Sequence, residues 1–251
     1  MAYGTFSEDV RACRPLVGTF VKTPDHVVVE TLARSGLDFI CLDGEHAPFD
    51  RGRLDACLAV GRALNFPCMV RVPAARAEYI LQALDMGAAG LVIPHVDSTA
   101  KAHKMGKLSR FGNGGRGFAG STRGSDWGDG GMVGALARGG DPVVLVQIEE
   151  TEAVEEAEGI AAAPGIDGVF LGPADLTVGY GHTAMGSPEL TEAYDRVGKA
   201  AAAAYRSYAS FAATPEAGDA LRAHNVNMLF IASDLSWLLA GAKAAAAALQ
   251  R

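Results

Sequence analysis

Short apolar runs alternate with longer amphipathic stretches along almost the whole chain, and no other feature restricts the possible folds as strongly. The runs are rich in Val, Ile and Leu and lack regular polar alternation, so they predict strands that are buried on both faces. The predicted strands are residues 15–21, 38–46, 67–73, 90–96, 143–149, 168–175, 207–214 and 226–233. A helical stretch follows each strand, which favours a single (β/α)₈ TIM barrel spanning residues 1–251.

One other architecture shares this alternation. A doubly wound open sheet also joins parallel strands through helices, and it remains the alternative to the barrel. The eight repeats and their short connections favour the barrel. The last helix, about residues 234–250, is rich in alanine and closes the predicted domain.

The composition narrows the class of protein. Hydrophobic residues make up 49% and charged residues 20% of the chain, as is ordinary for a soluble globular protein. A net charge of −7 with scattered cations argues against nucleic acid as a partner, and no apolar run is long enough for a membrane span. The N-terminus lacks the apolar core of a signal peptide, and Cys41 and Cys68 lie inside apolar runs, as buried reduced thiols do. We therefore expect a cytoplasmic location.

A glycine-rich segment at residues 111–131 interrupts the alternation. It contains a G-x-G-x-x-G sequence, but after a helix and not after a strand, so a dinucleotide site is disfavoured. The segment is too polar to predict a packed element, and long loops of this kind are commonly lids or interface elements. Its Arg116, Arg123 and Trp127 are candidates for closing over a site or for reaching a neighbouring subunit.

Polar side chains stand at several of the predicted strand ends, and the active site of a TIM barrel lies at the C-terminal ends of its strands. These residues are Asp43, Glu45 and His46 after strand two, Arg71 after strand three, His95 after strand four, Gln147 and Glu149 after strand five, and Asp175 after strand six. Their side chains should therefore share one rim.

Glu149 and Asp175 end two consecutive strands, and this pair predicts a metal site. One or two carboxylates, together with waters and substrate oxygens, hold Mg²⁺ or Mn²⁺ in many proteins. Gly172 and Pro173 would bring backbone close to the same place. Either carboxylate could instead bind N–H groups at a helix N-terminus. On a pleated strand, Glu150 would point away from Glu149.

Asp43 and His46 lie three positions apart, where the carboxylate could orient the imidazole and raise its basicity. Taken alone, His46 is equally explained as a hydrogen-bonded structural histidine. Arg71 stands between apolar residues, and a buried guanidinium needs an anion, for which a substrate carboxylate is the natural partner. Lys22 is the lysine nearest to a strand end, and its position does not favour a Schiff-base mechanism.

Five segments together resemble a known family. They read LDGEHAPFD, MVRVP, ALDMGAAGLVIPHV, VQIEE and GIDGVFLGPADLTVGYG, and they follow the order found in the HpcH/HpaI aldolases between residues 16 and 182. That family comprises class II, metal-dependent pyruvate aldolases of the phosphoenolpyruvate/pyruvate barrel superfamily. The resemblance therefore implies a TIM barrel with a divalent cation, Mg²⁺ or Mn²⁺, with Co²⁺ and Zn²⁺ as alternatives.

The resemblance also implies roles for individual residues. Glu149 and Asp175 match the metal ligands, Asp43 and His46 match the catalytic dyad, and Arg71 matches the pyruvate-binding arginine. Further matches are the substrate-binding residues Gln147, Gly172, Pro173 and Ala174, and Asp85 at an acidic position near the dyad. By resemblance the assembly is a homo-oligomer, a hexamer built as a trimer of dimers that swap the last helix.

Two features depart from the family pattern. The glycine-rich segment reads RGFAGSTRGSDWG where many members have an Arg-Gly turn and an Ala-Arg-Ala type sequence, and Phe20 stands where the best-studied branch tends to carry Trp. These departures leave the acceptor aldehyde open. They keep Arg116 and Arg123 as possible site residues.

The expected reaction is reversible retro-aldol cleavage of a 4-hydroxy-2-oxo acid into pyruvate, or hydroxypyruvate, and an aldehyde. The cation would polarise the keto group, Arg71 would hold the oxo acid, and His46 would move the proton. The alternatives are a carbon–carbon lyase acting on a CoA thioester, an oxaloacetate decarboxylase, and a non-catalytic barrel that binds an oxo acid. In each case the partners are small molecules.

Overall fold

The computed structural model describes residues 4–139 and 142–249, and within these ranges eight parallel strands form one closed barrel in sequence order. The strands are β1 Leu16–Val21, β2 Phe39–Asp43, β3 Cys68–Arg71, β4 Gly90–Ile93, β5 Val143–Ile148, β6 Gly168–Leu171, β7 Ser207–Ala212 and β8 Met228–Ser233. Nearly all strand residues are buried, as the uninterrupted apolar runs predicted. The (β/α)₈ TIM barrel is therefore confirmed.

Helices surround the barrel and return the chain to the start of each next strand. Their bounds are α1 Gly4–Arg11, α2 His26–Leu32, α3 Arg51–Ala63, α4 Ala77–Asp85, α5 Thr99–Leu108, α6 Gly131–Gly139, α7 Thr151–Glu155, α8 Ala157–Ala161, α9 Pro173–Gly179, α10 Pro188–Ala203, α11 Pro215–Leu221 and α12 Asp234–Leu249. No helix in the described part of the chain has the combination of length and apolar character that crossing a bilayer requires.

Three strands end three or four residues earlier than the sequence pattern suggested. β2 stops at Asp43 before a turn, β4 stops at Ile93 before an irregular segment, and β6 stops at Leu171 two residues before α9 begins. After β6, Pro173 occupies the start of α9, a position that suits its fixed φ and its missing N–H. Asp175 therefore lies in the first turn of a helix and not on a strand.

Aromatic rings fill the interior of the barrel. The centroid of the Phe230 ring lies 4.9 Å from those of Phe39 and Phe170 and 5.1 Å from that of Phe20. Phe39 in turn meets Phe6 of α1 at 5.6 Å, so α1 closes the N-terminal end of the barrel. We call these five rings the aromatic column, because they connect α1 with the last residues of β1 at the C-terminal end.

The buried thiols belong to the packing of the barrel. Cys41 and Cys68 are fully buried free cysteines, as the sequence predicted. Burial raises the pKa of both thiols well above the usual value. They are therefore uncharged at neutral pH and unsuited to nucleophilic chemistry.

The glycine-rich segment packs against the outside of the barrel, so the expectation that it is too polar to form a packed element is wrong. A 3₁₀ helix forms at Arg123–Gly128. Arg62 of α3 pairs with Asp126, and Gly124 lies so close to the carbonyl of Leu84 that a Cβ would overlap that oxygen. Ion pairs and close backbone contact replace the apolar contacts that the sequence lacks.

Gly106 of α5 offers a test of the packing between connections. A Cβ at this position would overlap the carbonyl oxygen of Pro164. We expect Gly106→Ala to destabilise the fold by about 1–3 kcal/mol, because the backbone has to shift, and to lower Tm by roughly 2–10 °C. Melting followed by circular dichroism measures the change.

The matched control is Gly52→Ala in α3. There the added Cβ meets only the side chain of Asp50, at 3.4 Å, so Tm should stay constant or rise slightly. Equal Tm values for the two variants would contradict the contact described for Gly106.

Candidate active site

A buried ion pair joins the ends of β2 and β3. Arg71 donates from Nε to Asp43 Oδ1 at 3.0 Å and from Nη2 to Asp43 Oδ2 at 2.8 Å, a two-point geometry that fixes the guanidinium plane. The barrel register brings them together, because the two residues are Cα partners. The guanidinium also lies over the Phe20 ring, 4.5 Å from its centroid. Arg71 therefore lies on the aromatic column at the C-terminal end of the barrel, and its orientation is fixed.

Asp43 is fully buried, and several donors surround its carboxylate. Lys22 Nζ lies 3.1 Å from Oδ2, and the backbone N–H groups of Glu45 and His46 donate to Oδ1 at 3.2 and 3.1 Å. Burial raises the pKa of Asp43, but the hydrogen bonds and charge of Arg71, with a further contribution from Lys22, leave it below its usual value. The carboxylate is therefore ionised at neutral pH and anchors both Arg71 and the turn after β2.

His46 meets Asp43 through its backbone and not through its ring. The N–H of His46 donates to the carboxylate of Asp43. Among the described residues, the expected pairing of that carboxylate with the His46 imidazole is not formed. The imidazole side chain is 57% exposed, and its Nε2 lies 3.7 Å from Glu45 Oε2. Glu45 also lies 3.4 Å from Arg71 Nη1 and 3.4 Å from His95 Nε2. Glu45 is thus the carboxylate within reach of the ring.

Glu149 lies directly after β5 and is almost fully buried. Its Oε1 accepts the N–H of His95 at 2.7 Å, and its Oε2 accepts a hydrogen bond from Gln147 Nε2. Gly172 is required here by close approach, because a Cβ would lie 2.7 Å from Glu149 Cβ. Burial, partly offset by His95 and reinforced by the negative charge of Asp175, raises the pKa of Glu149 to about 7. The burial of this carboxylate therefore outweighs the opposing effect of the nearby His95 on its pKa.

His95 brings Glu150 to the same place. Its Nδ1 lies 2.7 Å from Glu150 Oε1 and 3.1 Å from Glu149 Oε1. The expectation that Glu150 points away from Glu149 is therefore wrong, because β5 ends at Ile148 and strand alternation no longer applies beyond it. Burial lowers the pKa of His95, but the hydrogen bond to Glu150 and the nearby carboxylates outweigh it and raise the pKa.

The segment after β6 contributes one backbone donor and one carboxylate. The N–H of Gly172 is bonded to the carbonyl of Ile148 at 3.0 Å, and Pro173 has no N–H. The N–H of Ala174 lies in the first turn of α9, where a helix offers its N–H groups no internal partner. Asp175 is exposed in the same turn and close enough to act on the pKa of Glu149.

These donors suit a divalent cation. Single ligand atoms of His95, Glu149 and Glu150 lie within 4.8 Å of one another, and Asp175 lies near Glu149. Among the described residues, Gln147 Oε1 and Glu150 Oε2 are buried acceptors without a hydrogen-bond partner. Divalent cations such as Mg²⁺ and Mn²⁺ prefer oxygen donors of this kind. The residues present therefore fit the ion that the family resemblance implied.

Asp85, Arg116 and Arg123 lie at the opposite end of the same barrel. Asp85 ends α4, and the nearby N–H of Ala89 bonds the carbonyl of Cys68, the first residue of β3. Arg116 is buried and pairs with Asp85, while Arg123 donates to a backbone carbonyl just after α4. Within one chain these three residues hold the glycine-rich segment and do not join the residues at the strand C-terminal ends.

Sequence reasoning assigned no role in the site to Lys22, Glu45 or Glu150. Lys22 directly follows β1, and Glu45 lies within the DGEH sequence just after β2. Their positions at strand ends could therefore have indicated that both belong to the site. Their partners belong to other strands, and a chain pattern does not reveal which side chains meet across the barrel. Glu150 carried a misleading signal, because its direction depends on where β5 ends.

Comparisons with known proteins identify relatives of this chain in sequence and in structure. The family model described as HpcH/HpaI aldolase/citrate lyase matches residues 16–240. A hydroxypyruvate/pyruvate aldolase of Paraburkholderia phytofirmans is 30% identical over 235 residues, 90% of this chain and 89% of the relative. A 4-hydroxy-2-oxovalerate aldolase of Rhodococcus jostii is 34% identical over 195 residues, 77% and 74% of the two chains. The crystal structure of an HpcH/HpaI aldolase/citrate lyase family protein from Burkholderia cenocepacia superposes with a TM-score of 0.91 at 31% identity, covering 98% and 99% of the two chains.

Removal of Asp43 should destabilise the fold far more than removal of an exposed acid. Asp43→Ala leaves Arg71 buried without its partner, and we expect a loss of about 3–5 kcal/mol in the free energy of unfolding. The control, Asp97→Ala, breaks the exposed pair with Lys101 at 2.9 Å and should cost less than about 1 kcal/mol. Denaturant titration measures both, and equal losses would refute the anchoring role.

The contribution of Asp43 also has a defined pH dependence. Its pKa is lower in the folded state than the unfolded value of about 3.9, so its stabilisation is complete above that pH. We expect it to fade as the pH falls through the folded-state pKa. The difference in stability between the parent and Asp43→Ala should therefore shrink in acid, and a difference that grows in acid would contradict the pairing.

Proposed function

Because the chain belongs to the HpcH/HpaI aldolase/citrate lyase family and is a carbon–carbon lyase of the aldolase type, we propose that it cleaves a 4-hydroxy-2-oxo acid reversibly into pyruvate, or hydroxypyruvate, and an aldehyde. The rim at the strand ends carries this proposal. There the fixed cation of Arg71 faces the carboxylate of Glu149 across Glu45 and His95. A 2-oxo acid, with its anionic carboxylate and adjacent keto oxygen, matches such a site.

Arg71 would clamp the oxo acid. Asp43 accepts hydrogen bonds from Nε and from one N–H of Nη2. The remaining N–H groups of the guanidinium are left to bind the substrate. These groups would stabilise the negative charge that develops on the C2 oxygen during bond cleavage. The Ala174 N–H is a second donor, and Gln147 Oε1 is a buried acceptor that suits a substrate hydroxyl.

His46 would carry the proton. The imidazole nitrogen that does not face Glu45, Nδ1, would take the proton of the C4 hydroxyl as the C3–C4 bond breaks, so that the aldehyde leaves and the electron pair passes to the enolate of the donor. The imidazolium of His46 then gives its proton to C3 of the enolate, which yields pyruvate and restores the neutral ring. Glu45, 3.7 Å from Nε2, would orient the ring in the role that the resemblance assigned to Asp43.

The family's divalent cation belongs to this proposal. Glu149 and Asp175 would hold it, with Mg²⁺ or Mn²⁺ as the ions that carboxylates suit best. When bound, the cation supplies Lewis-acid polarisation of the donor's keto group. The burial of Glu149, which raises its pKa despite the nearby His95, and the neighbouring carboxylate of Asp175 support this assignment.

Two related activities use the same enolate chemistry. A lyase for CoA thioesters would need cations for the CoA phosphates, and the chain's net charge of −7 does not favour it. Decarboxylation of oxaloacetate needs no proton acceptor for a C4 hydroxyl, so it should survive the loss of His46 better than aldol cleavage does. Comparison of the activities in one preparation ranks them.

Exchange of deuterium into the methyl group of pyruvate tests the donor half alone. We expect exchange in the presence of Mg²⁺ or Mn²⁺, loss of exchange with EDTA, and recovery when the ion is restored. Arg71→Ala should lower the rate about 10²-fold or more. ¹H NMR follows the methyl signal. Full exchange with EDTA, or an unchanged rate in Arg71→Ala, would refute the proposal.

The proton step has its own test. His46→Ala should lower the rate of retro-aldol cleavage about 10²-fold or more, because the exposed imidazole is its proton acceptor. The control is His182→Ala, which removes an imidazole paired with Glu189 and should keep the parent rate. Coupled detection of released pyruvate measures both. A parent rate in His46→Ala would remove His46 from the mechanism.

A homo-oligomer, a hexamer in which dimers swap α12, completes the proposal, with the cytoplasm as its compartment. No residue of α12, which lies within the described ranges, is buried in the single chain. Leu235, Leu238 and Leu239 are 45%, 70% and 56% exposed. A contiguous apolar surface of this kind marks an interaction site, and the resemblance supplies a second copy as its cover.

A charge on α12 should therefore break the assembly. We expect Leu238→Glu to shift the molar mass from that of a hexamer toward smaller species, because the carboxylate cannot be buried without a partner. Val27→Glu on α2, 56% exposed in the parent, is the control and should leave the mass unchanged. Size-exclusion chromatography with light scattering gives the result. An unchanged hexamer in Leu238→Glu would exclude α12 from the interface.

A further inference from the structure

His95 occupies a position that no pairing requirement of the barrel explains. It follows β4 with a φ of 55°, in the left-handed region that residues other than glycine seldom adopt. This backbone conformation directs the N–H of His95 to Glu149 and places the imidazole beside Glu150. The ring remains 55% exposed at the mouth of the site.

Carboxylates surround the ring on both of its nitrogen atoms. Nδ1 lies 2.7 Å from Glu150 Oε1 and 3.1 Å from Glu149 Oε1, and Nε2 lies 3.4 Å from Glu45 Oε1. One imidazole therefore faces three acids, while Arg71 contacts only Glu45 among them. This edge of the site is rich in negative charge, and a cation would balance it.

The separations agree with shared coordination of one ion. Ligands that bind a metal at about 2.1 Å lie roughly 3.0–3.4 Å from one another. The distance from His95 Nδ1 to Glu149 Oε1 is in this range, and the distance to Glu150 Oε1 is a few tenths shorter. All three ligand atoms lie within 4.8 Å of one another.

A second observation points to a ligand at the same place. Gln147 is 1% exposed, and its Oε1 has no hydrogen-bond partner among the described residues, while its Nε2 binds Glu149. Glu150 Oε2 is also buried without a hydrogen bond. Buried acceptors of this kind are costly unless a donor or a cation satisfies them.

We propose that His95 adds a nitrogen ligand, and Glu150 a further oxygen ligand, to the divalent cation that Glu149 and Asp175 would hold. This inference rests on the proposed function for the presence of a cation, and it changes which cation the site prefers. Carboxylates and carbonyl oxygens suit Mg²⁺, whereas imidazole suits Zn²⁺, Co²⁺ and Ni²⁺. A site with one imidazole and acids therefore selects a transition metal ion over Mg²⁺ more strongly than a site of acids alone.

Metal affinities of the purified protein test the inference without reference to catalysis. Isothermal titration with Co²⁺ and with Mg²⁺ gives the two dissociation constants for the parent and for His95→Asn, in which asparagine tolerates the left-handed backbone. We expect His95→Asn to weaken Co²⁺ binding about 10- to 100-fold and Mg²⁺ binding much less. The control, His182→Asn, removes a histidine paired with Glu189 and should change neither constant.

Spectroscopy of the parent gives an independent answer if the variant fails to fold. Electron spin echo modulation of bound Mn²⁺ detects ¹⁴N from a directly bound imidazole, and we expect this signal in the parent. Absence of ¹⁴N modulation in the parent, or equal losses of Co²⁺ and Mg²⁺ affinity in His95→Asn, would overturn the inference. Selective Co²⁺ binding without aldol cleavage would refute the proposed function and leave this one standing.

Discussion

The buried pair of Arg71 and Asp43 is the interaction on which the site depends. Removing two charges from water is costly, and the cost is offset only when geometry and additional donors are favourable. Here the register of β2 and β3 supplies two-point contact, Phe20 supplies a ring beneath the guanidinium, and Lys22 and two backbone N–H groups complete the carboxylate's environment. The guanidinium of Arg71, which would contact the substrate, is therefore held in one orientation before the substrate binds.

The aromatic column explains why the guanidinium of Arg71 keeps one orientation at the C-terminal end of the barrel. Phe230 and its neighbours leave little polar surface in the interior, so Arg71 has an apolar floor on one side and acids on the other. Its guanidinium cannot turn inward without losing every partner. The preorganisation that aldol chemistry needs thus follows from core packing and not from a flexible loop.

Positively and negatively charged side chains occupy different parts of the rim. Lys22 and Arg71 stand near the ends of β1 and β3, while Glu149, Glu150 and Asp175 stand near the ends of β5 and β6. Glu45 and His95 form the contact between the two groups. An oxo acid bound across this boundary would have its charge and its keto group in different surroundings, which is the arrangement that cleavage of the neighbouring bond requires.

The sequence predicted the barrel well, because strands buried on both faces read as continuous apolar runs and eight repeats leave few folds. It also predicted which polar residues share the rim, since that follows from strand ends alone. It did not predict the partners of Asp43 or the direction of Glu150. Those depend on register between strands that are distant in sequence, and on whether a strand stops one residue earlier or later.

The glycine-rich segment packs at one end of the barrel, and the residues of the candidate active site lie at the other. Arg116, Arg123 and Asp85 hold that segment at the N-terminal end of the barrel, whereas the strand C-terminal ends carry the polar rim. Within one chain the segment has no route to the substrate. If it selects the acceptor aldehyde, it does so at the rim of another subunit, which would make acceptor choice a property of the assembly. The donor half, built wholly from one barrel, would then function in a monomer that has lost its acceptor preference.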